Sequence, residues 1–279
     1  MLSDVVAQRV DHYYRLIREA PPSRLALRDA DLALLAACQP FRCGADGGIA
    51  GWRVGEGPVV AMVHGWGGQG VQFVRMAHHL ADRGFTAVFI DARNHGDSAP
   101  AHLGFDRFMK DAADLQAHLG APPFAWIGHS AGALGVMAAR RIFGLKAEAF
   151  VCLATPLFPY VPLDKVQVIG AGSDVIEGLK TLLAQEFSAT WIDLEQGAAW
   201  APDACAHLMA VYDETDPTVS AQDAFKLARI WRGARVMLTS GFGHNRIVGA
   251  EAIIESVSEF LLGRRNVRTA REGNAVCCA

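Results

Sequence analysis

No two cysteines of this chain stand at C-x-x-C spacing, and none shares a metal-ligand spacing with a histidine. That removes zinc-ribbon and thioredoxin-like readings. The six cysteines, Cys38, Cys43, Cys152, Cys205, Cys277 and Cys278, are expected to be free thiols in a reducing cytoplasm. No apolar run reaches the roughly 18 residues that span a bilayer. The opening MLSDVVAQRVDHYYRLIREA carries early acids and no uninterrupted apolar core, so it does not read as a signal peptide. The closing VCCA is not a C-a-a-X box, because Val276 stands fourth from the end. Charge of one sign is also missing: 26 basic and 29 acidic residues are scattered to a net −3. Without a basic stripe or a basic amphipathic segment, neither nucleic acid nor a membrane surface is an expected partner. Internal repeats and low-complexity segments are absent as well.

Apolar residues are present in quantity. They make up 51% of the 279 residues, against 20% charged, which suits one large core rather than disorder. The length fits a single α/β domain with an insertion. Val6, Val10, Tyr13 and Ile17 recur at helical spacing until Pro21-Pro22 interrupts them, and a second helical stretch covers Leu25 to Ala37. Residues 1–45 are therefore expected to be a helical extension packed on the body. After a short strand at 49–54, strand-like runs at 59–64, 85–91, 124–129, 147–154, 207–212 and 234–240 alternate with helical patterns. The runs are apolar nearly throughout, as parallel strands buried on both faces must be. This alternation predicts an α/β fold with a doubly wound, mostly parallel sheet. Its core occupies residues 46–157 and 204–263. Residues 158–203 break the rhythm with a helix marked by Val175, Ile176, Leu179, Leu182, Leu183 and Phe187 and capped by Ser173. So long an insertion with its own helix is expected to be a lid or cap. From Arg264 to 279 apolar residues are few and the tail is expected to fray.

The stretch WIGHSAGALG sets Ser130 between Gly128 and Gly132, after an apolar strand and before a run of helix formers. G-x-S-x-G in that context is a nucleophile elbow, a sharp strand-to-helix turn that lifts a serine above the carboxyl ends of the sheet. A serine hydroxyl needs a base within reach and a third group to orient that base. VYDETDPTV ends one strand with Asp213 and Asp216, and TSGFGHNRIV puts His244 in a glycine-rich loop after the last strand. Serine, then aspartate, then histidine is one of the known chain orders for such a triad.

Four motifs together, VHGWGG at 63–68, DARNHGDS at 91–98, GHSAG at 128–132 and the pair DETDPTV with GFGHNRIV, resemble the α/β-hydrolase superfamily over residues 46 to 263. The resemblance implies Ser130 as nucleophile, His244 as base and then acid, and Asp216 as the orienting acid, preferred to its rival Asp213. It implies an oxyanion hole from the backbone N–H groups of Trp66 and Ala131. It also separates the chain from haloalkane dehalogenases and epoxide hydrolases, which carry aspartate at the elbow, and from polyester synthases, which carry cysteine. RNHGDS looks like small bacterial esterases of the superfamily.

The remaining histidines read as structural. His64 is expected to brace its loop and His95 to bond local backbone, while His129 points away from Ser130 into buried or helical surroundings. His78 and His79 lack ligand partners at metal spacing. The Trp66 ring is a candidate for the acyl pocket or the core, and Asp174, Glu177 and Lys180 for the solvated face of the cap helix. The expected function is a cofactor-free serine hydrolase acting on a small-molecule carboxylic ester. Thioesterase, lactonase, aminopeptidase or carbon–carbon hydrolase on the same triad is an alternative. So is a slow-turnover ligand sensor on a hydrolase fold.

Overall fold

The computed structural model describes residues 4–21, 24, 26–200 and 206–276, with 268–276 as backbone alone. Pro22, Leu25, Cys205, Cys277 and Cys278 lie outside the described residues. In chain order the elements are α1 (Asp4–Arg18), α2 (Asp29–Ala36), β1 (Gln39–Cys43), β2 (Ile49–Val54), β3 (Val59–Val63), α3 (Val74–Ala81), β4 (Thr86–Ile90) and α4 (Phe105–Leu119). There follow β5 (Ala125–His129), α5 (Ser130–Phe143), β6 (Ala149–Leu153), α6 (Val161–Val168), α7 (Ser173–Glu186) and α8 (Trp191–Glu195). The chain ends with β7 (His207–Asp213), α9 (Gln222–Ile230), β8 (Arg235–Thr239), α10 (Gly243–Arg246) and α11 (Glu251–Val276).

The strands form one sheet in the order β1-β2-β4-β3-β5-β6-β7-β8. The pairs from β4 to β8 are parallel, and β1 and β2 are antiparallel at one edge. Strands β2 to β8 match the apolar runs of the sequence to within two residues at each end. Their continuous hydrophobicity has a simple cause. Trp126, Phe150 and Tyr212 alternate with Ile127, Val151 and Val211, the first set packing toward α4, α5 and α9 and the second toward α3 and α11. The unannounced strand is β1, which carries Pro40 and pairs with β2 alone, so it keeps the exposed character of an edge.

The extension differs from its expected form. Residues 26–28 are not helical, and α2 begins only at Asp29, after Arg28 in extended geometry. It packs on the body, where Leu34 and Leu35 join the core beneath α3. Helix α1 instead joins the insertion: Val10 and Ile17 share a cluster with Leu163 and Val166 of α6 and with Val175, Leu179 and Leu183 of α7. Both faces of the sheet are already covered by other helices, so the apolar stripe of α1 finds its match on α7. The two helices approach so closely that a Cβ at Gly178 would stand 2.4 Å from Cγ2 of Val10.

Polar contacts tie the same joint to the body. Arg18 Nη1 donates to Glu186 Oε1 at 2.8 Å and to Asp106 Oδ1 at 3.2 Å, and Tyr14 Oη donates to Glu186 at 2.8 Å. The other Glu186 oxygen accepts the Phe105 N–H at 2.7 Å, at the start of α4. Burial raises the Glu186 carboxyl above its ordinary pKa, and the neighbouring Asp106 charge adds to this. Ser173 is not the cap of α7. Gly172 takes that position without a side-chain bond, and Asp174 Oδ1 accepts the Val175 N–H at 2.9 Å instead. Helix α11 runs on to Val276, past the point at Arg264 where fraying is expected. Arg265 anchors its middle, donating to the carbonyls of Arg83 and Gly84 at 3.0 Å each. Cys38, Cys43 and Cys152 are free and buried, and among the described residues no helix is long and apolar enough to cross a membrane.

Gly178→Val should strain the α1–α7 joint by about 1–3 kcal/mol, the usual cost of overpacking. Thermal unfolding should show a lowered Tm, and adding Val10→Ala should restore part of the loss.

Candidate active site

The elbow is built by strain and close approach. Ser130 has φ +51, a left-handed conformation unusual for a side-chain-bearing residue. At Gly128 a Cβ would stand 2.4 Å from Cα of Ala133, and at Gly132 one would stand 2.0 Å from the His64 carbonyl oxygen. Both glycines of the motif are therefore required by neighbouring backbone. The turn leaves Ser130 at the first helical position of α5, at the carboxyl end of β5. Strand order reverses beside β3, with β4 on one side and β5 on the other, and clefts in open α/β sheets form at such a place.

Three loops meet there. His244 Nε2 lies 3.0 Å from Ser130 Oγ, and His244 Nδ1 lies 2.8 Å from Asp216 Oδ2. Donation from Nδ1–H to the carboxylate leaves Nε2 as the acceptor facing the serine hydroxyl. Asp216 is nearly closed to solvent, its side chain 1% exposed, and its other oxygen accepts the N–H groups of Thr218 at 2.7 Å and Val219 at 3.0 Å. Asp213 does not touch His244. It accepts from Thr215 N and Oγ1, from Thr239 Oγ1, and from the backbone N–H groups of Phe242 and Gly243 at 3.0 Å each. Burial pushes the Asp213 carboxyl up, but these donors outweigh it and hold the carboxyl well below the usual range. Asp213 thus pins the two residues that precede His244. The D-x-T spacing, present twice in DETDPT, is the local signal for both turns.

The histidines around the serine are fixed by their bonds. His64 Nε2 accepts the Ala92 N–H at 2.9 Å, so Nδ1–H donates to Gly65 O at 2.7 Å. His95 Nε2 accepts the Gly67 N–H at 3.0 Å, and Nδ1–H donates to Arg93 O at 3.0 Å. Both brace the segment after β3. His129 is buried, and its Nε2–H donates to the backbone carbonyl of His244 at 2.8 Å, with the two rings 4.9 Å apart. Burial, with the neighbouring His244 charge, lowers its pKa to about 3 and keeps it a neutral donor. Strand alternation directs His129 away from Ser130 but does not show that it lands on the His244 loop. His78 and His79 make contacts between helices, to Leu34 O at 2.9 Å and Glu255 at 3.0 Å. Among the described residues no group of three His, Cys, Asp or Glu side chains is placed to hold a metal ion.

Ala131 lies in the first turn of α5, where backbone N–H groups have no intrahelical acceptor. Trp66 is the second residue of the turn closed by Gly68 N–H to Gly65 O at 2.9 Å, and that bond leaves the Trp66 N–H unused. A Cβ at Gly65 would stand 2.9 Å from the Ser130 Cβ, so this turn lies directly against the serine. Ser130, Ala131, Trp66 and His244 all line one cavity of about 430 Å³. Leu16 and Ile17 of α1, Val161, Lys165 and Val166 of α6, and Ile169 just after it give the cavity a largely apolar lining. The Trp66 ring sits 5.6 Å from that of Phe105, so it both lines the cavity and packs on α4. Glu177 and Lys180 pair with each other at 2.6 Å on the exposed face of α7.

An eight-stranded, mostly parallel sheet with an elbow at the end of β5 defines a class, and comparison with known proteins agrees. The sequence profile of the alpha/beta hydrolase fold matches residues 58–174, and the chain has that fold. It is 29% identical to a non-heme haloperoxidase of Rhodococcus erythropolis over 147 residues, 51% of this chain and 53% of that one. It is 44% identical to a pimeloyl-[acyl-carrier protein] methyl ester esterase of Chromobacterium violaceum over 101 residues, 35% of this chain and 38% of that one. The chain thus spans about half, or less, of the length of these relatives. Among solved structures, a thermophilic esterase from Thermogutta terrifontis superposes with a TM-score of 0.59 at 16% identity, covering 81% of this chain and 98% of that one. At that identity the likeness speaks to the fold.

Asp213→Asn should leave buried donors unpaired and lower stability at neutral pH by about 1–3 kcal/mol. A depressed carboxyl stabilises the fold above its unfolded pKa of about 3.9 and loses that contribution as the pH falls below it. The gap in Tm between wild type and variant should therefore be full at pH 7 and narrow below about pH 4.

Proposed function

We propose that the chain is a serine hydrolase that cleaves carboxylic esters through an acyl-enzyme on Ser130. The observation that carries this reading is the continuous hydrogen-bonded line from Ser130 Oγ to His244 Nε2, 3.0 Å, and from His244 Nδ1 to Asp216 Oδ2, 2.8 Å, set at a strained elbow. In the reaction Ser130 Oγ attacks the ester carbonyl carbon while its proton passes to His244 Nε2. Asp216 holds the imidazole in the tautomer that accepts that proton and stabilises the imidazolium that results. The N–H groups of Ala131 and Trp66 are the donors for the developing oxyanion, an interaction for which a single donor contributes about 3–4 kcal/mol. His244 returns the proton to the departing alkoxide as the C–O bond breaks. Water then enters, gives its proton to His244 and releases the acid by the reverse sequence.

The cavity supports an apolar acyl group, since the side chains that α1 and α6 contribute to its lining are aliphatic apart from Lys165. We read residues 158–203 together with α1 as the cap that keeps bulk water from the acyl-enzyme. The esterase name carried by the Chromobacterium violaceum relative agrees with this reading.

Labelling with a fluorophosphonate probe should modify the wild-type chain at one site and fail on Ser130→Ala. Equal labelling of the two would overturn the assignment. Asp216→Asn should cut kcat on a chromogenic ester by about 10⁴-fold, the effect of a mis-set tautomer.

A further inference from the structure

The cavity at Ser130 has a buried end and an open end. Ser130 is 6% exposed, whereas Leu16 of α1 is 49% exposed and Ile169, just past α6, is 63% exposed. An acyl chain attached to Ser130 and lying along α1 and α6 therefore runs from a closed reaction centre toward water. Helix α6 meets that chain with one stripe. Val161, Pro162, Lys165, Val166 and Ile169 line the cavity, a spacing that falls on a single helical face. Every member of the stripe is apolar except Lys165. It stands within the stripe, where the pattern calls for another apolar side chain.

Lys165 has no counter-charge. Among the described residues that line the cavity there is no aspartate or glutamate, and apart from His244 Lys165 is the one basic side chain. Asp164 precedes it in sequence but lies off the cavity-facing stripe. Asp216 is committed to His244 at 2.8 Å, and Glu186 to Arg18 at 2.8 Å. Lys110, Lys180 and Lys226 each pair with a carboxylate on their own helix. The Lys165 side chain makes no such pair among the described residues. A lysine in this position can lay its methylenes along the aliphatic lining and hold its ammonium at the water side. The complement of such a lining is amphipathic in the same order: an ester carbonyl at Ser130, an apolar middle and an anionic tip at the open end.

We infer that the acyl portion of the substrate ends in a carboxylate, which Lys165 receives at the open end of the cavity. Lys165 thereby sets acyl specificity and takes no part in proton transfer. This rests on the serine hydrolase reading above and adds the acyl class to it. The full chain is tested on chromogenic esters of one alcohol, whose straight acyl chains of increasing length end in a methyl or a carboxylate group. At low ionic strength the carboxylate series should reach, at one length, a kcat/KM about fivefold or more above its methyl-ended counterpart, the upper range for an exposed ion pair. Added salt should erode that preference. Lys165→Met should abolish it and Lys165→Arg should keep part of it. Lys165→Glu should turn it toward an ammonium-ended acyl chain, a reversal that a merely structural lysine would not produce. A carboxylate moved to the alcohol portion should bring no gain. Alkyl fluorophosphonates with the same two chain ends, compared by their rate of labelling at Ser130, read the preference without turnover. A ratio near one at every length, a preference unchanged in Lys165→Met and Lys165→Glu, or a larger gain from a carboxylate on the alcohol side overturns the inference and leaves the serine hydrolase reading in place. No turnover of any ester, together with no phosphonate labelling of Ser130, overturns that reading and this inference with it.

Discussion

The close approach of the His64 carbonyl to Gly132 is the constraint on which the site depends. Helix α5 can begin where it does only because position 132 offers no side chain to the end of β3, where a Cβ would stand 2.0 Å from that oxygen. The same region brings the turn at Gly65–Gly68 against Ser130, where a Cβ at Gly65 would stand 2.9 Å from the Ser130 Cβ. Positive φ at Ser130 is a local cost, of order 1–3 kcal/mol for a strained residue, that the surrounding packing sustains.

Two aspartates three positions apart divide the work on the histidine. Asp213 gathers the chain before His244 through backbone and hydroxyl donors, and Asp216 meets the imidazole itself. His129 completes the support by bonding the His244 carbonyl from the strand that leads to the serine. The imidazole is thus held at its ring by one loop and at its backbone by two other elements.

Much of this was legible in the residues. Apolar runs of six to eight residues alternating with helical stripes specify a buried parallel sheet, and glycines at both flanks of Ser130 specify a tight elbow. Serine, aspartate and histidine in that order lead to three loops that the structure does bring together. What escaped depends on partners distant in sequence. The apolar stripe of α1 says that it is buried but not that α7 buries it, and β1 lies on an edge whose polarity hides it. Ser173 has the chemistry of a cap, yet backbone geometry gives that position to Gly172. The role of His129 depends on where a loop 115 residues away places its carbonyl.

The roof over the aliphatic cavity is composite. Residues 4–18 and 161–186 supply it jointly, locked by Val10 against Gly178 and by Arg18 against Glu186. The two segments share one apolar cluster, Val10 and Ile17 of the first with Leu163, Val166, Val175, Leu179 and Leu183 of the second. A chimera that imports the insertion of another protein of this fold must import a matching first helix with it. Otherwise the transplanted helices meet a surface shaped for a different neighbour, and the compartment beneath them loses one of its walls.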